Sequence, residues 1–140
     1  MFLGEYEYSM DERGRVAVPA RFRDEFKAGL VLARGLDRCI TAYSPEGWQR
    51  LTGRLESLSF TQADVRRVQR AVYGGAYEAE LDRQGRVLLP TALRSYAEIR
   101  QGVVIVGMND HLELWDAEHW AAEYAALDSQ TPDIAERLHG

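Results

Sequence analysis

One cysteine in 140 residues, Cys39, excludes an intramolecular disulfide and any multi-cysteine zinc site. It lies in the apolar run CITAY and reads as a small buried packing residue, not a reactive thiol. No apolar run is long enough to span a membrane and no charged-then-apolar leader is present, so a reducing cytoplasm without a membrane partner is the expected setting. Basic charge is not in excess: 17 Lys and Arg stand against 22 Asp and Glu, a formal net of −5 that argues against general adhesion to nucleic acid. Nucleophile elbows, phosphate-binding loops and metal-ligand clusters are missing, and His111, His119 and His139 are too far apart for a local site. Asp116-x-x-His119 and Asp110-His111 are accounted for by an aspartate that caps a helix and an isolated exposed histidine. The chain is therefore expected not to be an enzyme and to need no cofactor or metal.

What is present is a globular composition with 46% hydrophobic residues, enough to bury one core in one unit or in two small, intimately packed halves. Charge is unevenly spread. Residues 109–140 hold eight acids against Arg137 alone, which leaves a small positive excess on the first 108. Arg13, Arg15, Arg21 and Arg23 lie between Glu12 and Asp24 with no acid among them, and Arg83, Arg86 and Arg94 form a similar interval. Two local basic patches on an acidic chain suit an ordered polyanion as partner.

Those patches belong to a repeat. The stretch DERGRVAVPARFR at 11–23 returns as DRQGRVLLPTALR at 82–94. A shift of 71 places Gly4 on Gly75, Tyr6 on Tyr77, Asp11 on Asp82, Gly14 on Gly85, Arg15 on Arg86, Pro19 on Pro90 and Arg23 on Arg94. With one extra residue absorbed, Gly35, Tyr43 and Trp48 fall on Gly107, Trp115 and Trp120. Two copies of this length make a tandem duplication, not a solenoid.

Each copy reads as strand, tight turn, returning strand, short helix opened by proline, two strands and a capped helix. In the first, 6–10 and 15–18 are the strands around the turn, Pro19 occupies the first helical position, and the helix runs over 20–27 to a stop near Gly29. LVLAR and CITAY follow as strands, and Ser44 caps a helix that carries Trp48 and Leu51. The second copy ends in an Asp116-capped helix through Trp120 and Tyr124, and a linking helix spans 63–73 with a glycine stop. The fold class is α+β (mainly β), with the two units packed face to face as an internal pseudo-dimer. Tyr43, Trp48, Trp115 and Trp120, at strand ends and helix starts, suit the core first and an interface second.

In the D-x-x-G-R turn, Asp11 and Asp82 are expected to accept hydrogen bonds from turn amides, and Gly14 and Gly85 to make the bend at positive φ. Arg15 and Arg86 leave the turns at the start of the returning strands; as a purely structural feature each would pair with its aspartate. Arg13 and Arg83 share that neighbourhood without matching: Arg13 falls opposite Gln84, and Arg83 opposite Glu12.

The pattern D-x-x-G-R-x-x-x-P resembles that of the SpoVT-AbrB swapped-hairpin superfamily of prokaryotic DNA binders. Two copies, with MFLGEY, RRVQRAVYGGAYE and GVVIVGMNDHLELWDAEHW around them, resemble the MraZ family of bacterial transcriptional regulators linked to the division and cell wall gene cluster. The resemblance implies two SpoVT-AbrB domains, at 5–47 and 76–119, built as swapped-hairpin halves, and a cytoplasmic, nucleoid-associated protein. It implies double-stranded promoter DNA as partner, repression of its own operon through short promoter repeats, and assembly into a ring of identical subunits. The DNA contacts carried over are Arg15 and Arg86, with Arg13 and Arg83 beside them. One departure is Glu12, an acid where a more basic turn would hold phosphate better. So few arginines per subunit neutralise few phosphates, and several subunits engaging neighbouring elements would supply the affinity. The alternative is a ring-forming assembly protein whose arginine patches take acidic protein partners.

Overall fold

The first strand, β1 (Glu5–Ser9), enters the Asp11–Gly14 turn, but the strand that leaves it, β2 (Arg15–Ala17), does not pair back onto β1. The computed structural model describes residues 1–139. After β2 come a 3₁₀ helix (Ala20–Phe26), β3 (Leu30–Arg34), β4 (Ile40–Tyr43), α1 (Pro45–Glu56) and α2 (Ala63–Gly74). The second half supplies β5 (Tyr77–Ala79), β6 (Arg86–Leu88), α3 (Thr91–Ala97), β7 (Gly102–Gly107), β8 (Leu112–Asp116) and α4 (Ala117–His139). Six strands form one open antiparallel sheet in the order β1-β7-β8-β4-β3-β5, and β2 and β6 form a separate two-stranded ribbon.

The halves therefore interleave and do not stack as two faces. β1 pairs with β7 of the second half, β5 pairs reciprocally with β3 of the first, and β4 pairs with β8 at the centre. A pseudo-twofold axis runs through Thr41↔Glu113 in the sheet and Val16↔Val87 in the ribbon. Each half lends its edge strand to the other, so neither has a complete sheet alone.

Alternation along the strands divides the core. Leu30 and Leu32, Ile40 and Ala42, Val103 and Ile105, and Leu112 and Leu114 turn to one face, where they meet Val16 and Val87 of the ribbon and Phe22, Phe26 and Leu93 of the short helices. On the other face Cys39, Val104, Val106 and Trp115 pack under Trp120 of α4. Cys39 is fully buried, as expected, and burial is the chief cause that pushes its thiol pKa up. Tyr43, Trp115 and Trp120 are core, whereas Trp48 is half-buried. No helix among the described residues is long and apolar enough to cross a membrane.

Several expectations need correction. The helix after Pro19 is 3₁₀, and both prolines cap their helices from an extended conformation (ψ 135° and 142°), with Pro19 and Pro90 carbonyls accepting the first helical N–H groups. The fixed φ serves that position as well as the first helical one. The fold is not mainly β: helical residues outnumber strand residues, α1 and α2 standing beside an α4 that continues past Tyr124 through Pro132 to His139 with a mostly exposed surface. Strand register also moves the repeat. Arg34↔Ile40 corresponds to Gly107↔Leu112, so Arg34, not Gly35, takes the place of Gly107, and the first β-turn is one residue longer than the second. By contrast, the Ser44 cap (Gly47 N–H to Oγ, 3.1 Å), the Asp116 cap (His119 N–H to Oδ2, 3.2 Å) and the linking helix are where the sequence puts them.

Candidate nucleic-acid interface

Each D-x-x-G-R turn is closed by its own aspartate. Asp11 Oδ1 accepts the backbone N–H groups of Arg13 and Arg15, both at 2.9 Å, and Asp82 Oδ1 accepts those of Gln84 and Arg86, both at 2.9 Å. Gly14 and Gly85 turn the chain at φ of 85° and 76°, conformations that side chains with a Cβ rarely adopt. The N–H of Gly14 donates to the Asp11 carbonyl and that of Gly85 to the Asp82 carbonyl, at 3.0 and 2.9 Å.

The second carboxylate oxygen holds the arginine. Arg15 Nε donates to Asp11 Oδ2 at 2.7 Å, and Arg86 Nε to Asp82 Oδ2 at 2.9 Å. Arg86 Nη1 also lies 3.7 Å from Asp11 Oδ2, which links the two turns. The ribbon register, Arg15↔Leu88 and Ala17↔Arg86, sends Val16 and Val87 into the core and both arginines to the outward face, with side chains 29% and 28% exposed. An arginine fixed through Nε is oriented without its whole fork being used, which prepares it for a planar acceptor. Arg13 and Arg83 are exposed at the two turn tips, with no ion pair among the described residues.

Backbone donation from Arg15 to Asp11, and from Arg86 to Asp82, is the leading cause that lowers both carboxyl pKa values. A depressed folded-state pKa means that the stabilisation is present above the unfolded value, about 3.9, and is lost as pH falls through the folded value. Melting temperature measured from pH 6 down to pH 2 should drop on the acid side, and D11N/D82N, which keeps an acceptor oxygen at each turn, should flatten that drop; an unchanged acid limb in the variant would contradict it.

Two residues of the site were matched by the repeat without being assigned a role. Arg23 and Arg94 cross between the halves: the Arg23 side chain lies on Gly85, and a Cβ on Gly14 would stand 2.9 Å from Arg94 Cζ. Arg23 Nε donates to the Val18 carbonyl (2.9 Å) and Arg94 Nη2 to Thr91 Oγ1 (3.0 Å). Glycine is thus required twice at each turn, for its φ and for room. The equal spacing of Arg23 and Arg94 was the available signal. The local charge is more balanced than the acid-free intervals implied, because Asp11, Glu12 and Asp82 fold beside Arg13, Arg15, Arg83 and Arg86.

The histidine reading is corrected in part. His111 is neither isolated nor exposed; it stacks on Tyr43 (centroids 4.7 Å apart) and its Nδ1 lies 2.6 Å from Asp110 Oδ1. No group of three or more His, Cys, Asp or Glu able to hold a metal occurs among the described residues.

A family model described as "MraZ protein, putative antitoxin-like" matches the chain twice, at residues 1–71 and 72–138. The chain is similar over 138 residues to proteins named "Transcriptional regulator MraZ". It is 44% identical to that of Thermomicrobium roseum, covering 99% of this chain and 97% of the relative, and 46% identical to that of Syntrophomonas wolfei, covering 99% and 96%. Against the Lactiplantibacillus plantarum protein the identity is 42%, covering 99% and 98%.

Proposed function

The chain belongs to the MraZ family, whose members are transcriptional regulators and not enzymes, and from that membership and the ribbon geometry we propose that it binds double-stranded promoter DNA sequence-specifically. Arg15 and Arg86 are the base-reading or phosphate-holding groups at the centre, and Arg13 and Arg83 flank them at the tips. The observation that carries this reading is the ribbon itself: two guanidinium groups, each oriented by an aspartate, stand side by side on one outward face about a pseudo-twofold axis. A twofold arrangement of donors matches the approximate dyad of a duplex.

The regulatory role is repression of the protein's own operon in the division and cell wall gene cluster, in the cytoplasm at the nucleoid. Domains at 5–47 and 76–119, built as swapped-hairpin halves, present the two turns. Identical subunits assemble into a ring, so that several ribbons engage successive short promoter repeats and avidity compensates for the few arginines on each. Surfaces for such a contact exist beside the two edge strands. One groove runs along Val31, Trp48 and Tyr77, and its counterpart runs along Val104, Trp120 and Tyr8.

Filter binding of the protein's own promoter duplex and a scrambled duplex across a salt series tests the reading. Log affinity should fall linearly with log salt, by about 0.9 for each phosphate neutralised, and the promoter should be preferred at every salt concentration. Absence of binding to either duplex would instead favour an assembly protein with acidic protein partners.

A further inference from the structure

A second set of arginines gathers on α3 at Tyr96, two residues along from Arg94, which lies against the first ribbon turn. In the β3–β4 turn, Gly35 N–H donates to the Cys39 carbonyl at 2.7 Å, and Tyr96 of α3 donates its hydroxyl to the Gly35 carbonyl. Both Arg34 and Arg38 rest against that tyrosine ring, their Cζ atoms 5.6 and 4.9 Å from its centroid. Arg34 is confined by Gly75, where a Cβ would stand 2.9 Å from Arg34 Cγ, Cδ and Nε. Arg38 adopts a left-handed backbone, φ 59°.

Two exposed guanidinium groups gathered on one ring repel each other, and neither has a carboxylate partner within 4.0 Å among the described residues. Asp37 is the one acid in the turn. A residue with a long side chain in the left-handed region is strained, and such strain collects where a group must be aimed. The pseudo-symmetric position has nothing comparable: Glu25 stands in the place of Tyr96 and Gly107 in that of Arg34.

We propose that Arg34, Arg38 and Tyr96 form a second anion site, one per chain, that holds a backbone phosphate of the same duplex bound by the ribbon. The proposal rests on the DNA-binding reading above. Arg94 and Tyr96 are two residues apart on α3 and so face opposite sides, with Arg94 against Gly14 and the first turn. The Tyr96 site therefore lies about one helix diameter, roughly 10 Å, from that turn. A duplex carries one negative charge per about 1.7 Å of axis, so phosphates flanking those over the ribbon fall within this distance. With no base-edge geometry and a single copy per chain, the site adds affinity without reading sequence.

The full-length R34Q/R38Q variant, titrated with promoter and scrambled duplexes over the same salt series, provides the test. Affinity for both duplexes should fall about tenfold, the log–log salt slope should become shallower by about 1, and the promoter preference should persist. R34K/R38K, which keeps the charge, should retain most of the slope. Gly75→Ala, which leaves both arginines present but pushes Arg34 off the ring, should weaken both duplexes about threefold. If R34Q/R38Q binds with wild-type affinity and slope, the site is overturned while the ribbon reading stands. Loss of promoter preference in that variant would also overturn it, since the pair would then read bases. Failure of the wild-type protein to bind any duplex would remove the ribbon reading and this site together.

Discussion

Alanine at both Arg15 and Arg86 should lower affinity for the promoter duplex by between about 30-fold and 10⁴-fold, since a well-placed arginine contact is worth about 1–3 kcal/mol. The fold should survive. Both arginines are partly exposed, and an ion pair in such a position is screened by solvent and adds little, while the backbone bonds that close the turns go to Asp11 and Asp82 and remain. The single variants should be unequal. Arg86 touches Asp82 at 2.9 Å and also approaches Asp11 at 3.7 Å, so its loss removes the link between the turns, whereas Arg15 pairs with Asp11 alone. Anisotropy titrations beside thermal melts separate binding from folding. A double variant that melts and binds like the wild type would remove these residues from the interface.

Valine at Gly85 should cost about 2–4 kcal/mol of stability and lower the melting temperature by roughly 10 °C. Part of the loss is conformational: φ is 76°, where a β-branched residue is strongly disfavoured. The rest is steric, because the new Cβ would occupy the position of the Arg23 side chain and displace it from the Val18 carbonyl. Gly14→Val should be somewhat milder, since its Cβ would meet only the end of the Arg94 side chain, at 2.9 Å from Cζ. Arg23→Ala in a Gly85→Ala background divides the two contributions: it should recover the steric part and leave the φ cost. Equal stability of Gly85→Ala with and without Arg23 would mean that the crossing arginine exerts no pressure on the turn.

Whatever is closed by bonds within a few residues could be read from the sequence. The D-x-x-G-R turn is such a unit: aspartate, two amides, glycine and arginine all meet within five positions, so its geometry follows from residue type and order. The Ser44 and Asp116 caps and the glycine stop at Gly29 are local in the same way. The duplication was legible too, because matched residues at a constant shift need no structure to be counted.

Tertiary structure decided what pairs with what. The alternation in β1 requires a partner on one side but does not name it, and its partner β7 lies nearly a hundred residues away. Val16 of β2 demands burial without saying whether β1 or β6 completes the ladder. Register in β3 and β7 showed that Arg34, not Gly35, takes the place of Gly107, a one-residue difference in turn length that identity alone disguised. The exposed stretch of α4 beyond Tyr124 gives little amphipathic signal, so its length was not apparent. The crossing of Arg23 and Arg94, and the meeting of Arg34 and Arg38 on Tyr96, depend on elements from different halves. Local turns draw their stability from bonds between neighbours in the chain. Exchanged strands and crossing arginines instead depend on many simultaneous contacts that offset the entropy of closing long loops, and no short segment encodes that balance.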